Sequence, residues 1–211
     1  MIDSDVCCRA LLNKADQRRR RVIDQARKLF IENGFHATGI AQIAKASGVA
    51  VGQLYRDFSA KEDIVAAIVN TDCRSFMAAD ALRFAIEEGD EHQVREWIRQ
   101  FVLPEDDLDD SRLFAEIVAE AGRNARIAAI FDATHEDVRK LMLNALAMLA
   151  PGDALAEQRV ALADTILTMS LGLLHHQLVR PHRDLGALVV SLLHIIDREI
   201  DALRAQAAVH A

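Results

Sequence analysis

Residues 30–69 read FIENGFHATGIAQIAKASGVAVGQLYRDFSAKEDIVAAIV, and short apolar helical patterns alternate in this stretch with single glycines. Asn33-Gly34 predicts the end of a first helix, because glycine readily takes the left-handed conformation that closes a helix. Ser47-Gly48-Val49 predicts a sharp turn with a short helix on either side. The stretch therefore predicts a helix-turn-helix, although many helical hairpins share the bare pattern of two helices and a glycine turn.

Apolar residues on both sides of this stretch recur at the three- and four-residue spacing of helices. They predict a first helix over about 19–33, and Thr38 is a suitable N-cap for the second. A long, kinked helix is expected from near Lys61 to Gly89. Further helices are expected over about 90–102, 112–122, 124–149, 154–179 and 184–207. No stretch alternates with the period of two that is typical of strands. The predicted fold class is therefore all-α: an N-terminal three-helix head, then a helical body, with about nine to ten helices in total.

The composition of the 211 residues fits a folded helical protein, since 51% are apolar, 27% are charged and only 3 are proline. It excludes a disordered or collagen-like chain. Three cysteines are too few for a disulfide framework, which favours free thiols. The first residues lack the apolar segment of a signal peptide, and no apolar run approaches the ~20 residues that span a bilayer. We therefore expect a soluble, cytoplasmic protein.

The charge is unevenly distributed along the chain. The total is −7, which by itself argues against a nucleic-acid partner. Residues 1–61, however, hold 11 Lys and Arg against 6 Asp and Glu, a net charge of +5, whereas the remainder holds 14 against 26, a net charge of −12. A basic head on an acidic body indicates that the head meets a polyanion. A chance difference between two solvated surfaces is the alternative.

Individual residues in the quoted stretch are more specific than its helical pattern. They are Phe30, Gly34, Phe35, Thr38, Ile43-Ala44, Gly48-Val49, Gly52, Leu54, Tyr55, Phe58 and Lys61-Glu62. In this order and spacing they closely resemble the DNA-binding head of TetR-type transcriptional regulators. The resemblance is specific for the head and only architectural for the rest of the chain. It implies a flexible extension over 1–17, a helix-turn-helix domain over 18–65 with its motif at 39–58, and a ligand-binding and dimerisation domain over 66–211.

The resemblance also implies roles for single residues of the head, with 50–58 as the recognition helix in a major groove. Three residues correspond to positions that hold the phosphate backbone: Thr38, Tyr55 and Lys61. Gly52 would let the helix approach the floor of the groove. Gln53 and Arg56 would read base edges, because glutamine pairs with adenine and arginine with guanine.

Two positions of the recognition helix depart from the family's common pattern. Ala50 stands where a Ser or Thr often caps the helix, and Val51 stands where a polar residue is frequent. Both are expected to offer apolar contacts to thymine methyl groups. Upstream, Arg18-Arg19-Arg20-Arg21 is interpreted as a flexible arm on phosphates or in a minor groove, the alternative being a solvated helix start.

The body is expected to form a dimer, because a single head reads few base pairs and a two-fold dimer on palindromic DNA is the usual solution. The apolar stripe of residues 184–207 is too broad for one partner within the chain, and with the preceding helix it resembles the four-helix dimer bundle of the family. The expected interface residues are Leu167, Leu171, Leu174, Leu188, Leu192 and Ile195. A purely intramolecular core is the alternative.

Bulky residues in the middle of the chain are the candidates for a ligand pocket, which the resemblance places among the central helices. The chosen residues are Trp97, Phe101, Phe114, Met142, Met169 and His175. Each could instead be plain core. The expected ligand is a small, largely apolar effector.

Catalytic and metal-binding patterns are weak throughout. His175 and His176 are consecutive, so their side chains diverge on a helix, and no cofactor is expected. The sequence therefore predicts a non-enzyme: a homodimeric repressor that binds a palindromic operator and is released by a small molecule. Two alternatives remain, namely a TetR-type protein gated by a protein partner and a helical enzyme or adaptor with a vestigial head.

Overall fold

The computed structural model describes residues 4–103 and 108–210, and over these residues it is all-α, as predicted. Ten α-helices and two 3-10 turns make up the described chain, which contains no strand. The helices are α1 Ser4–Asn33, α2 Ile40–Ser47, α3 Val51–Asp57, α4 Lys61–Met77, α5 Ala79–Glu87, α6 Glu91–Arg99, α7 Leu108–Ala121, α8 Ala125–Leu149, α9 Ala156–Val179 and α10 Gly186–His210.

The chain divides into two compact units whose borders differ from the expected domains. Unit 1 holds the described residues up to Cys73 together with Arg112–Asp132, and unit 2 holds the rest. The expected boundary after residue 65 therefore falls inside α4. Most of α7 and the first turns of α8 belong with the helix-turn-helix, because their apolar side chains complete its core.

The core of unit 1 is built from the inward faces of α1 to α4 and is closed by α7 and α8. Phe30, Ile43 and Leu54 are almost fully buried at its centre. Leu113 of α7 and Ile127 of α8 are equally buried in the same cluster. Burying a side chain of this size contributes about 1.5–3 kcal/mol, so the late segment adds substantially to the stability of the head.

The core of unit 2 surrounds the single tryptophan. Trp97 packs edge-on against Phe101, with ring centroids 4.9 Å apart, and Met142 lies fully buried in the same cluster. The indole Nε1 donates a hydrogen bond of 2.5 Å to the carbonyl oxygen of Met77, where α4 ends. The next residue, Ala78, has φ of 40°, a left-handed conformation that is uncommon for a residue with a side chain.

Two helix boundaries correct the sequence-based expectations. The first helix begins at Ser4, so residues 4–17 of the expected flexible extension are helical and continuous with the predicted helix. The long, kinked helix expected from near Lys61 to Gly89 is instead two helices, α4 and α5, separated at Ala78. No helix within the described residues has the length and apolarity needed to cross a membrane.

Candidate nucleic-acid interface

Helices α2 and α3 form the predicted helix-turn-helix, within residues 39–58. Gly48 ends α2 with φ of 66°, the left-handed conformation that the sequence predicted. Gly39, and not Thr38, is the N-cap of α2, and its backbone N–H donates to Oε1 of Gln42 at 2.6 Å. Ala50 begins α3 without a side-chain cap, as its apolar side chain requires.

Helix α3 presents one face to solvent and is fixed by the other. Leu54 is fully buried, whereas Tyr55 is 53% and Val51 43% exposed. Arg56 is also exposed, and a Cβ atom added at Gly52 would meet nothing within 4 Å. These four solvent-facing positions lie on one side of the helix, so a surface of polar, apolar and backbone groups is available for an external partner.

Arg18 and Arg19 do not form part of a flexible arm. Arg18 makes a two-pronged ion pair with Asp57, the last residue of α3, through bonds of 2.6 and 2.9 Å. Arg19 donates to the backbone carbonyl of Asp57 at 2.5 Å, and its guanidinium lies 4.3 Å from the ring centre of Phe58. Arg20 and Arg21 are exposed. The expectation of one arm of four arginines was wrong, because two of them are bound to α3.

The carboxylate of Asp57 is the electrostatic centre of this contact. The bond from Arg18 lowers the pKa of Asp57 below its ordinary value, against the opposing effect of burial. Gln53, one helical turn earlier, lowers the pKa of Asp57 in the same direction. Sequence analysis missed Asp57, although an acid beside a basic helix end was a usable signal.

The Asp57 pair makes unit 1 sensitive to acid. Because the pKa of Asp57 is lower in the folded chain than in the unfolded chain, the folded state binds fewer protons between the two values, and stability rises with pH there. The contribution is complete above about pH 4, the unfolded value, and is lost as the pH falls through the folded value. We expect Asp57→Asn to lower the free energy of unfolding at pH 7 and to have a much smaller effect at pH 2.5, as measured by urea unfolding.

Asp24→Asn is the matched control, since Asp24 is an exposed acid on the same helix as Arg18. It should change stability by less than about 0.5 kcal/mol at both pH values. Equal losses for Asp57→Asn at pH 7 and at pH 2.5 would contradict the ion pair.

The side chains of two residues predicted to contact phosphates make hydrogen bonds within unit 1. Thr38 is 1% exposed. Its hydroxyl is within hydrogen-bond distance of two backbone carbonyl acceptors, that of Gly34 at 2.8 Å and that of Leu29 at 3.0 Å. Lys61 donates through Nζ to the carbonyls of Phe35 and Thr38, at 2.5 and 3.0 Å, and lies over the Phe35 ring. Burial lowers the pKa of Lys61. Both side chains hold the loop between α1 and α2, and their expected role as phosphate contacts stays a prediction.

Polar residues of α7, of α8 and of the turn between them bind the same loop and the start of α4. Glu116 accepts a bond of 2.8 Å from the backbone N–H of Phe35, and the nearly buried Glu120 lies 2.7 Å from Nε2 of His36. Asn124 donates to Glu62 at 3.0 Å. Arg126 pairs with Asp63. Sequence analysis missed these residues, because their partners lie more than 60 residues away.

The residues expected at a dimer interface differ in exposure. Leu171 is 48% and Leu188 36% exposed, and Leu174, Leu192 and Ile195 are half-buried. Leu167 is buried in the core of unit 2, which corrects its assignment to the dimer interface. An open groove of about 440 Å³ lies between α9 and α10. Its lining includes Ala161, Thr165, Ile195 and Ala202.

The residues expected to line a ligand pocket do not form one set. Trp97, Phe101 and Met142 are buried in the core of unit 2, and Met169 packs against them. His175 is exposed, and Phe114 belongs to unit 1, where its ring packs against that of Phe131. Phe114 and His175 lie outside that core, and a ligand pocket lined by the six residues stays a prediction. None of the six residues lines the groove between α9 and α10.

The arrangement of α2, its glycine turn and α3 defines a helix-turn-helix protein. Residues 22–68 match the family model described as bacterial regulatory proteins of the tetR family. The HTH-type transcriptional regulator UidR of Escherichia coli K12 is 30% identical over 130 residues, which are 61% of this chain and 64% of that protein. The chain is similar to the tetR family over these 47 residues, and it aligns with just under two thirds of the length of this relative.

Solved structures are similar to this chain at the level of the fold. GusR of Salmonella enterica superposes with a TM-score of 0.66 at 22% identity, over 88% of this chain and 96% of that chain. FadR of Bacillus subtilis superposes with a TM-score of 0.63 at 20% identity, over 84% and 96%. UidR and FadR are named as transcriptional regulators.

Proposed function

We propose that this protein is a homodimeric transcriptional repressor that binds a palindromic DNA operator and is released from it by a small molecule. The observation that carries the proposal is the outer face of α3. Tyr55, Arg56 and Val51 reach solvent there, while Leu54 holds the helix against the core of unit 1. A helix with this division can enter a major groove and keep its own fold unchanged.

The contacts with DNA divide into backbone-holding and base-reading groups. Arg20 and Arg21 are exposed cations on α1, and the Tyr55 hydroxyl can donate to a phosphate oxygen. Arg56 and Gln53 carry the donors and acceptors that match guanine and adenine edges. Thr38 and Lys61 support this surface from inside unit 1, since they hold the loop before α2.

Self-association through α9 and α10 would place two heads on one DNA molecule. Leu171 and Leu188 expose apolar side chains on these two helices, and the open groove lies between the same helices. A second copy of the chain would bury these groups and fill the groove. The symmetry of such a dimer matches that of an inverted repeat.

Release requires a ligand that binds one conformation of the body better than another. FadR of Bacillus subtilis was crystallised with stearoyl-CoA, and we propose a small, largely apolar effector for this chain. Helix α4 contains the border between the two units, so a shift in its position would alter the spacing of the two recognition helices. A tenfold loss of operator affinity needs only about 1.4 kcal/mol of differential binding.

The proposal predicts the result of a selection from a randomised duplex DNA library. The full-length protein should enrich an inverted repeat whose half-site centres are about 34–36 Å apart or a multiple of this distance. On the enriched site, Arg20→Ala and Arg21→Ala should each reduce the slope of log K against log salt concentration by about 0.9, because each loses one phosphate contact. Fluorescence anisotropy over a salt series measures the slope.

Arg183→Ala is the control, because Arg183 is exposed and lies in unit 2. It should leave the slope unchanged. A library from which the wild-type protein enriches no sequence would contradict operator binding, and a single half-site without an inverted copy would contradict the dimer.

A further inference from the structure

The helix-turn-helix contains a single acidic residue, and two arginines of α1 bind it. Between residues 39 and 58 the only Asp or Glu is Asp57, the last residue of α3. Arg18 donates to both oxygens of its carboxylate, at 2.6 and 2.9 Å. Arg19 donates to its backbone carbonyl at 2.5 Å. The carboxylate and the carbonyl of this residue are therefore both paired with cations of the same chain.

An unpaired carboxylate at the end of α3 would oppose the binding of a polyanion. Aspartate is ionised at neutral pH. An α-helix with its side chains is about 10–12 Å across, so a charge on one side of α3 lies within about this distance of a partner on the other side. Salt of about 0.1 M screens charges over ~10 Å. The screening would therefore reduce the repulsion between this carboxylate and DNA phosphates without removing it.

The contact with Arg18 cancels this charge at short range. The side chain of Asp57 is only 10% exposed and that of Arg18 24%, so the protein shields most of the pair from water. A guanidinium and a carboxylate that share two parallel hydrogen bonds form a contact of defined geometry, and together they carry no net charge. Arg19 adds a second cation at the C-terminal end of α3, where the helix dipole is negative. The acidic end of the helix is thus made compatible with a negatively charged partner.

We propose that Arg18 raises the operator affinity indirectly: it is a positioning residue that neutralises Asp57 at the end of the recognition helix, and it contacts no phosphate itself. The inference rests on the proposed operator binding. It gives the four consecutive arginines two different tasks, because Arg20 and Arg21 are exposed and remain available for phosphates. The competing role for Arg18 is a direct phosphate contact, in which its pairing with Asp57 would be exchanged for one with DNA.

A double-mutant cycle separates the two roles. Wild type, Arg18→Gln, Asp57→Asn and the double variant Arg18→Gln/Asp57→Asn, all full-length, are titrated by fluorescence anisotropy with the DNA site that the wild type enriches, over about 50–200 mM salt. Arg18→Gln should bind about tenfold more weakly at the lowest salt, because it leaves the carboxylate unpaired. The double variant should bind within about twofold of the wild type and keep its salt slope, since one pair without net charge then replaces another.

Arg21→Gln is the matched control, because Arg21 is an exposed member of the same arginine run. Its loss of affinity should persist when Asp57→Asn is added. Thermal melting followed by circular dichroism shows which variants are folded at the temperature of the titration. If the double variant is not folded, Arg18→Met/Asp57→Leu takes its place, because apolar side chains of similar size often replace an ion pair without loss of stability.

Failure of the double variant to restore binding would overturn the inference. Binding as weak as that of Arg18→Gln, with a salt slope reduced by about 0.9, would make Arg18 a phosphate contact. The same weak binding with an unchanged slope would make the ion pair purely structural. Wild-type affinity of Arg18→Gln would also overturn the inference, while operator binding would stand. If the wild-type protein enriches no DNA sequence, the proposed function fails, and the inference fails with it.

Discussion

Leu188→Glu should sediment as a monomer and bind its inverted repeat at least about a hundredfold more weakly than the wild type. Leu188 is 36% exposed on α10, so the substitution places a carboxylate on the proposed interface without opening the core of unit 2. Near a two-fold axis the charge would meet its own copy, and desolvating each ion costs several kcal/mol. One head alone then supplies half of the contacts. Analytical ultracentrifugation and DNA titration measure the two effects.

Leu188 is chosen for the substitution because its side chain is exposed. Leu192, on the same helix, also packs against the core of unit 2, so a charge there would confuse dissociation with unfolding. Phe84→Glu is the matched control, because Phe84 is 64% exposed on α5, outside the two helices of the proposed interface. It should remain a dimer. A Leu188→Glu variant that stays dimeric with normal circular dichroism would show that the interface lies elsewhere.

Lys61→Ala should destabilise unit 1 by about 2 kcal/mol. The ammonium group donates to two backbone carbonyls of the loop between α1 and α2 and rests over the ring of Phe35, 3.9 Å from its centre. Hydrogen bonds to charged groups contribute about 1.5–3 kcal/mol each, and the partial exposure of Lys61 reduces the sum. Urea unfolding followed by circular dichroism measures the loss.

Lys45→Ala is the control for charge, since Lys45 is an exposed cation on α2. It should change the free energy of unfolding by less than about 0.5 kcal/mol. A Lys61→Ala variant of normal stability whose salt slope falls by about 0.9 would instead make Lys61 the phosphate contact that its resemblance to the family implied.

Local signals made the head predictable from sequence. Gly34 and Gly48 adopt φ of 80° and 66°. Each lies at a helix end that the adjacent residues in the sequence are sufficient to predict. The buried positions of α2 and α3 follow from three- and four-residue spacing in the same way. The break between α4 and α5 was not predicted in this way, because the left-handed residue there is Ala78 and not a glycine.

Contacts between distant segments were not predictable. Arg18 is 39 residues from Asp57, and Phe35 is 81 residues from Glu116. A run of charged residues has the same sequence pattern whether it contacts DNA, solvent or another segment of the chain. The contacts of Lys61 could not be predicted either. Its acceptors are backbone carbonyls, which every residue has, so no side-chain type indicates them. The assignment of α7 to unit 1 depends on Leu113 and Ile117, which any amphipathic helix could carry.

The distribution of aromatic rings gives the two units separate optical signals. Trp97, the single tryptophan, is enclosed in unit 2 with its indole N–H bonded to Met77, and Tyr55, the single tyrosine, stands exposed on α3 of unit 1. Indole emission shifts to longer wavelength when water reaches the ring, so it reports the melting of unit 2 alone. Tyrosine emission reports events at α3. The unlabelled protein therefore allows the order in which its two units unfold to be read by fluorescence.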